Sequence, residues 1–388
     1  MSFYSKRAAL ALMGVLTAAA CGGNGAVPSA QSGAPYGVAQ GGADSAVPLA
    51  DNTSILKKLK KDVVIGSTVD PGNGDTGPHS VSIVQSTYGL KKGQVITCNF
   101  ANSGGTAGQG TTVDVLNPKV GSKPSTFVQS SKIEGCTGAA TTLGNEVCAA
   151  GYAAAEVVCF DRGGSVINTY GSPFKAPFGI ADAHCVQGPS CLYASETIFG
   201  SDAKTGGIVD FSVNNYGNPN PTEVATGFAV NNKSGWSTLG PSGLSYNANK
   251  LGTLYITDGV NNTVVAFTNA SNLLAKDEIT VLKGGKTFKC KYHGKGDPCG
   301  ELVFAGSPLN APVGMTMLPN GNLVVANSQG GNTLVEIDVS TGKVLATKVV
   351  DKSKTQGVFA LQAIGSKDSN TALFYTDTND NSLHELEQ

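Results

Sequence analysis

The stretch DPGNGDTG, Asp70 to Gly77, sets three oxygen donors, Asp70, Asn73 and Asp75, in a glycine-rich loop. Carboxylates and amides at short spacing suit calcium, which is bound through oxygen. The spacing is not that of the twelve-residue calcium loop, and a turn capped by its own Asp and Asn side chains is the alternative. A second constellation is basic. VLKGGKTFKCKYHGKGDPCG carries Lys283, Lys286, Lys289, Lys291 and Lys295, with Phe288 and Tyr292 among them. Pinned by a disulfide, such a loop would present cations and aromatic faces to an anionic glycan or a protein partner. A solvated loop whose charge only keeps the chain soluble is the alternative. The four histidines, His79, His184, His293 and His384, show no common motif, and no G-x-S-x-G or H-E-x-x-H word is present.

Nine cysteines make an odd set. Setting Cys21 aside leaves an even number, and an even set in an exported chain reads as a disulfide framework. Short spacing pairs Cys185 with Cys191 and Cys290 with Cys299. Cys136 with Cys148 would close a third loop, which leaves Cys98 for Cys159 by elimination. No C-x-x-C word occurs, so zinc held by thiolates has no support.

Cys21 has a different use. Lys6 and Arg7 precede an uncharged run of small and apolar residues from Ala8 to Ala20. That run is shorter than the roughly 20 residues that span a bilayer, and the pattern is that of a secretory signal peptide, residues 1–20. TAAAC then resembles the lipobox of bacterial lipoproteins, whose cysteine becomes the first mature residue and carries the lipid. Ala18 stands where that family usually has leucine, so ordinary cleavage that leaves Cys21 free is the alternative. The resemblance implies an exported chain, lipid-anchored through Cys21 to the cell envelope at the outer membrane or its periplasmic face. Residues 21–52 are rich in Gly, Ala, Ser and Pro with little to bury, a flexible tether with a reach of roughly 30 Å.

Removing Lys6 and Arg7 takes two from 27 basic residues against 28 acidic ones. The mature chain is then slightly acidic, with no basic excess to draw nucleic acid. Charged residues are 14% of the chain and glycines number 51. Low charge with many glycines suits many short strands joined by tight turns.

Internal repeats follow. GTLYITDGVNNTVVAF from Gly252, GNLVVANSQGGNTLVEI from Gly321 and TALFYTDTNDNSLHEL from Thr371 share one plan: apolar strand, Asp or Asn, polar turn, second strand. Weaker copies are GQVITCNFAN…TTVDVL, AEVVCFDRGGSVINTY and SCLYASETIFGSDAKTGGIVDF. A short strand precedes most hairpins, opening with GPHSVSIV, APFGIADA, GPSGLSYN or APVGMTML. Its Pro-x-Gly turn suits a strand that passes close to its neighbours. A fourth strand such as KVLATKVVD completes the unit. These words resemble NHL repeats, and four-stranded units repeated around an axis make a propeller. The expectation is an all-β fold over 53–388, a six-bladed β-propeller of four-stranded antiparallel blades. The sixth unit stops at its third strand, NSLHELEQ, while KKDVVIGSTV from Lys60 is a spare strand. That N-terminal strand is expected to close the ring and remove an exposed edge. SILKKLKK, before it, reads as a short helical turn.

Aligning the hairpins puts Asn99, Asp161, Glu196, Asp258, Asn327 and Asp377 at the ends of second strands, where capping of their own turns is expected. A more distant similarity reaches the six-bladed gluconolactonase and regucalcin propellers. It implies a divalent metal in the central channel that activates water or polarises a lactone carbonyl, with ligands partly at the middle position of words such as P-D-G-M. Here that position holds His79, Phe178, Ser242 and Val313. Only His79 suits a metal, and the departure weighs against a lactonase site of that kind. The favoured function is a cell-envelope binding or scaffold module for a protein, glycan or small ligand. It would act as a monomer, with His79, Ser242, Lys289, Lys291 and Tyr292 as candidate contacts. The alternative is a metal-dependent hydrolase of lactones or related small molecules, using a divalent cation such as calcium.

Overall fold

The computed structural model describes residues 53–183, 197–213, 220–231, 239–248 and 252–388. The signal and tether expected over 1–52, Cys21, His184, the Cys185–Cys191 pair and Glu196 lie outside them. Six sheets, each built on antiparallel strands, form the blades of a β-propeller. β1 (Lys61–Ser67) comes first in the chain but belongs to the last blade. Blade 1 holds β2 (Thr76–Pro78) and β3 (Ser82–Ile83), which together make its interrupted inner strand, then β4 (Val95–Ala101), β5 (Thr112–Leu116) and β6 (Ser125–Gln129). Blade 2 is β7 (Cys136–Thr141), β8 (Val147–Gly151), β9 (Glu156–Phe160) and β10 (Val166–Tyr170). Blade 3 is β11 (Pro177–Asp182), β12 (Thr197–Asp202), β13 (Gly207–Ser212) and β14 (Thr222–Thr226). Blade 4 is β15 (Pro241–Asn247), β16 (Thr253–Asp258) and β17 (Thr263–Thr268). The inserted hairpin β18 (Ile279–Leu282) and β19 (Thr287–Cys290) precedes its outer strand β20 (Cys299–Ala305). Blade 5 is β21 (Pro312–Met317), β22 (Leu323–Asn327), β23 (Thr333–Asp338) and β24 (Lys343–Val349). Blade 6 is β25 (Val358–Ile364), β26 (Ala372–Asp377) and β27 (Ser382–Glu387), completed by β1.

Stacking of blades explains the strand sequences. Middle strands such as β22 and β26 are buried at every residue because a neighbouring blade covers each face, so they read as continuous apolar runs rather than alternating ones. Outer strands such as β6 and β24 are largely exposed.

The inner strands repeat one register. Pro78, Cys136, Pro177, Pro241, Pro312 and Val358 face the ends of their second strands at Asn99, Gly151, Asp202, Asp258, Asn327 and Asp377. In blades 2 to 6 a register shift follows at once. Such a bulge bends the strand and re-aims its next side chains. In blades 2 to 5 the glycine at the bulge is there for contact. A Cβ on Gly179 would lie 2.0 Å from the Ser242 carbonyl oxygen, and one on Gly243 would lie 2.1 Å from that of Val313. Both obstacles are backbone, so only glycine lets consecutive inner strands approach this closely.

The ring closes as expected. β1 runs antiparallel to β27, from Lys61 opposite Glu387 to Ser67 opposite Ser382. The residues before it add a second fastening. SILKKLKK forms a turn that buries Ile55, Leu56 and Leu59 against blades 5 and 6. Fully buried Glu336 on β23 receives that turn. Its carboxylate accepts from Ser54 Oγ (2.5 Å), Leu56 N (2.9 Å), Ile55 N (3.2 Å) and Asn322 Nδ2 (3.0 Å).

Cys290 pairs with Cys299 as expected. The other two described pairings differ. Cys98 bonds Cys136, and Cys148 bonds Cys159, in place of Cys136–Cys148 and Cys98–Cys159. The pleat decides this. Cys136 lies with Cys98 in the core between blades 1 and 2. Cys148 faces blade 3 and stands directly across from Cys159 on the adjacent strand, with Cα atoms 4.0 Å apart.

Candidate functional site

The inner strands surround a central channel whose cavity is about 70 Å³. Three of the four middle positions singled out in the sequence, His79, Phe178 and Val313, meet there, joined by Phe359 from blade 6, while Ser242 does not line the channel. What they build is an aromatic plug. The His79 ring stacks on Phe359 with centroids 4.0 Å apart, lies 4.5 Å from Phe100 and meets Phe178 edge-on at 6.5 Å. His79 Nδ1 donates to the Gly77 carbonyl at 2.9 Å, which leaves Nε2 as the acceptor. Burial holds the imidazole pKa down to about 4, so the ring is neutral at pH 7. Among the described channel-lining residues, His79 is the one side chain with an imidazole, carboxylate, amide or thiolate to give a metal. Small-molecule pockets usually measure about 300–1,000 Å³, and a cavity of about 70 Å³ holds a few waters rather than a sugar lactone.

Ser242 is not a contact residue. It is fully buried between blades 4 and 5, with Oγ 3.1 Å from Thr257 Oγ1 and 3.3 Å from the Val313 carbonyl. The Asp70 loop also has its oxygens engaged. Asp70 Oδ2 accepts from Gly72 N (2.7 Å) and Asn73 N (2.6 Å), while Asn73 Oδ1 accepts from Asp75 N at 2.9 Å. Asp75 Oδ2 accepts from Thr111 N at 2.6 Å and from Thr111 Oγ1 at 3.0 Å. These are the contacts of a polar turn capped by its own side chains.

Turn capping holds for Asp258, which accepts from Val260 N and Asn261 N, and for Asp377, which accepts from Asn379 N. Asn327 instead bonds the loop before its blade, and Asn99 reaches across to Thr112 and Asp114. Two blades were aligned out of step. In blade 3 the equivalent residue is Asp202, which accepts from four backbone N–H groups. In blade 2 it is Gly151, and Asp161 follows the third strand.

The basic insertion projects from the side of the propeller. β18 pairs in parallel with β14, extending blade 3 to six strands, and β19 forms the outer edge. Phe288 turns inward and meets Phe267 edge-on. Lys283, Lys286, Lys289, Lys291 and Lys295 are exposed, as is Tyr292. Lys291 Nζ lies 5.4 Å from the Tyr292 ring centroid.

One cluster escaped sequence reasoning. Asp377, Asp380 and His384 bring one ligand atom each to within 4.8 Å of the others. His384 Nε2 is 3.0 Å from Asp380 Oδ2 and 2.7 Å from Ser382 Oγ. His384 Nδ1 is 3.1 Å from Oδ1 of Asp62 on the closing strand, and Asp62 Oδ2 accepts from the Tyr375 hydroxyl at 2.6 Å. Burial, with Asp351 and Asp380 nearby, pushes the Asp377 carboxyl up to about 6. The available signal was the D-x-x-D-x-x-x-H spacing across a tight turn, which folds all three onto one patch.

No family model and no curated protein matches the chain. Solved structures do. A gluconolactonase from Xanthomonas campestris superposes with a TM-score of 0.55 at 11% identity, covering 89% of this chain and 95% of that one. A protein from Bacteroides thetaiotaomicron gives 0.53 at 13% identity, covering 84% and 74%. A chain of a nidogen/laminin complex gives 0.50 at 13% identity, covering 76% and 87%. At such identities the likeness is one of fold, and the chain shares the propeller architecture of these proteins.

Proposed function

We propose that this protein is a cell-envelope lipoprotein, held by a lipid on Cys21, whose propeller is a binding or scaffold module for an envelope protein, glycan or small ligand. The observation that carries this reading is the channel. Where a channel-centred hydrolase needs room for substrate and a set of metal donors, this one has stacked His79 and Phe359, Phe178 and Val313 around a cavity of about 70 Å³. The lactone-hydrolase alternative draws only on likeness of fold, and a fold does not carry function with it. The neighbouring folds include both a gluconolactonase and a chain of a nidogen/laminin complex.

The binding reading places recognition on the rim, and the Lys289–Lys291–Tyr292 edge is its best-formed element. The double variant K289E/K291E is expected to lose most of the envelope material that the wild-type chain captures in pull-downs. Equal capture would sink the role of this edge. The anchor is tested separately. Cys21→Ser is expected to move the chain from the membrane fraction to the soluble fraction, and unchanged membrane retention would refute lipidation at that residue.

A further inference from the structure

We propose that Asp377, Asp380 and His384 form a binding site for a transition-metal dication of the zinc class, on blade 6 and apart from the channel. One imidazole nitrogen and two carboxylate oxygens are a donor set that zinc accepts, and a fourth position would take water. The spacing fits. Ligands about 2.0–2.1 Å from a tetrahedral zinc stand about 3.3 Å from one another. His384 Nε2 and Asp380 Oδ2 are already 3.0 Å apart, and all three donors lie within 4.8 Å.

Each donor is held from behind. Asp62 takes the Nδ1 side of His384, which leaves Nε2 to face the site, and the Tyr375 hydroxyl holds Asp62. A carboxylate behind a histidine is the usual way a metal-binding imidazole is oriented and made more basic. Ser382 Oγ donates to Asp380 Oδ1 at 2.5 Å, and Asn379 N donates to Asp377 Oδ1 at 2.8 Å.

Asp377 supplies a second, independent reason. It is 4% exposed, and among the described residues only its Oδ1 takes a hydrogen bond. No lysine or arginine pairs with it among the described residues. The one cation-capable group beside it, His384, is already shared between Asp62 and Asp380, so the two carboxylates outnumber their countercharge, and a dication supplies it. Because Asp62 lies on β1 and the ligands lie on β26, β27 and their turn, the ion would also steady ring closure.

The test is calorimetric titration of the untagged, chelator-stripped full chain with zinc, repeated with calcium. One equivalent of zinc is expected, with a rise in melting temperature because only the folded chain offers the site. Asp380→Asn, a change at a half-exposed side chain that folding should tolerate, is expected to weaken zinc at least tenfold, and His384→Gln to abolish stoichiometric uptake. Asp62→Asn should weaken it by roughly 10–100-fold without changing the stoichiometry. No stoichiometric zinc uptake by the wild type, or uptake unchanged in both D380N and H384Q, overturns the site. One equivalent of calcium in place of zinc overturns the assignment of the metal.

Discussion

Deletion of residues 51–69 is expected to abolish cooperative unfolding of the propeller. Three losses coincide. Ile55, Leu56, Leu59 and Ile65 are almost fully buried, and each contributes about 2 kcal/mol when removed from water. β27 becomes an open edge along its whole length. Glu336 loses the Ser54 hydroxyl and the Ile55 and Leu56 N–H groups, three of the four donors that satisfy its carboxylate. The sum rivals the whole stability of a typical domain, about 5–15 kcal/mol. Circular dichroism on heating should show a broad, shallow change in place of a sigmoid, and a truncated body that melts like the parent would refute closure by this segment. Glu336→Ala is the graded version. It strands the same donors without removing the strand, and should destabilise the fold by about 3–5 kcal/mol while the melt stays cooperative.

Blade architecture was legible because stacked blades impose a strong local signature. β16, β22 and β26 are apolar runs ending in Asp or Asn before a tight turn, and each hairpin announces itself without its neighbours. Blade 2 hid its alignment because β7 and β8, CTGAAT and VCAAG, carry small residues. The bulkier β9–β10 hairpin then looked like the second and third strands. The disulfides failed for a related reason. Chain spacing measures loop length, whereas pairing depends on which face of a strand each cysteine occupies, and the bulge after Cys136 resets that alternation. The blade 6 cluster was half visible, since its three ligands are local in sequence. Asp62, which orients His384, lies 322 residues away from it and meets it only because the ring closes. Glu336 and Ser54 are joined the same way, across 282 residues. The plug around His79 was beyond local reading too, because it depends on Phe359, in a blade whose opening word lacks the Pro-x-Gly signal.

Stability should fall as pH rises from 6.5 to 8.5, against the habit of proteins whose carboxylates are all paired. Two buried aspartates set the sign. Asp114 is fully buried on β5, and burial first, then the adjacent Asp70 carboxylate, pushes its pKa up to about 8. Asp114 Oδ1 is buried without a hydrogen bond, and the neighbouring Asp70 has its own pKa lowered. Burial would raise the Asp70 value, but hydrogen bonds from Thr126, Asn73 and Gly72 outweigh it. Asp210, on β13, is likewise pushed to about 8 by burial and by Glu278. Both Asp210 Oδ2 and Glu278 Oε2 are buried without hydrogen bonds. In the unfolded chain these aspartates lose their protons near pH 4, whereas the folded chain keeps them until about pH 8. The folded state therefore binds more protons across that interval. Its advantage is complete below pH 4 and is lost as pH climbs to about 8. His79 works in the opposite direction, because its folded pKa near 4 costs stability on acidification. That cost is confined to pH below about 6.5, so the two effects separate. Each retained proton is worth about 1.4 kcal/mol per pH unit, so both together should remove on the order of 3 kcal/mol between pH 6.5 and 8. Denaturant unfolding at several pH values measures this directly. Asp114→Asn keeps an acceptor for Asn99 Nδ2 but cannot ionise, so it should roughly halve the slope and stabilise the chain at pH 8. A flat wild-type profile over this range, or a D114N profile with the parental slope, would show that Asp114 carries no proton in the folded blade.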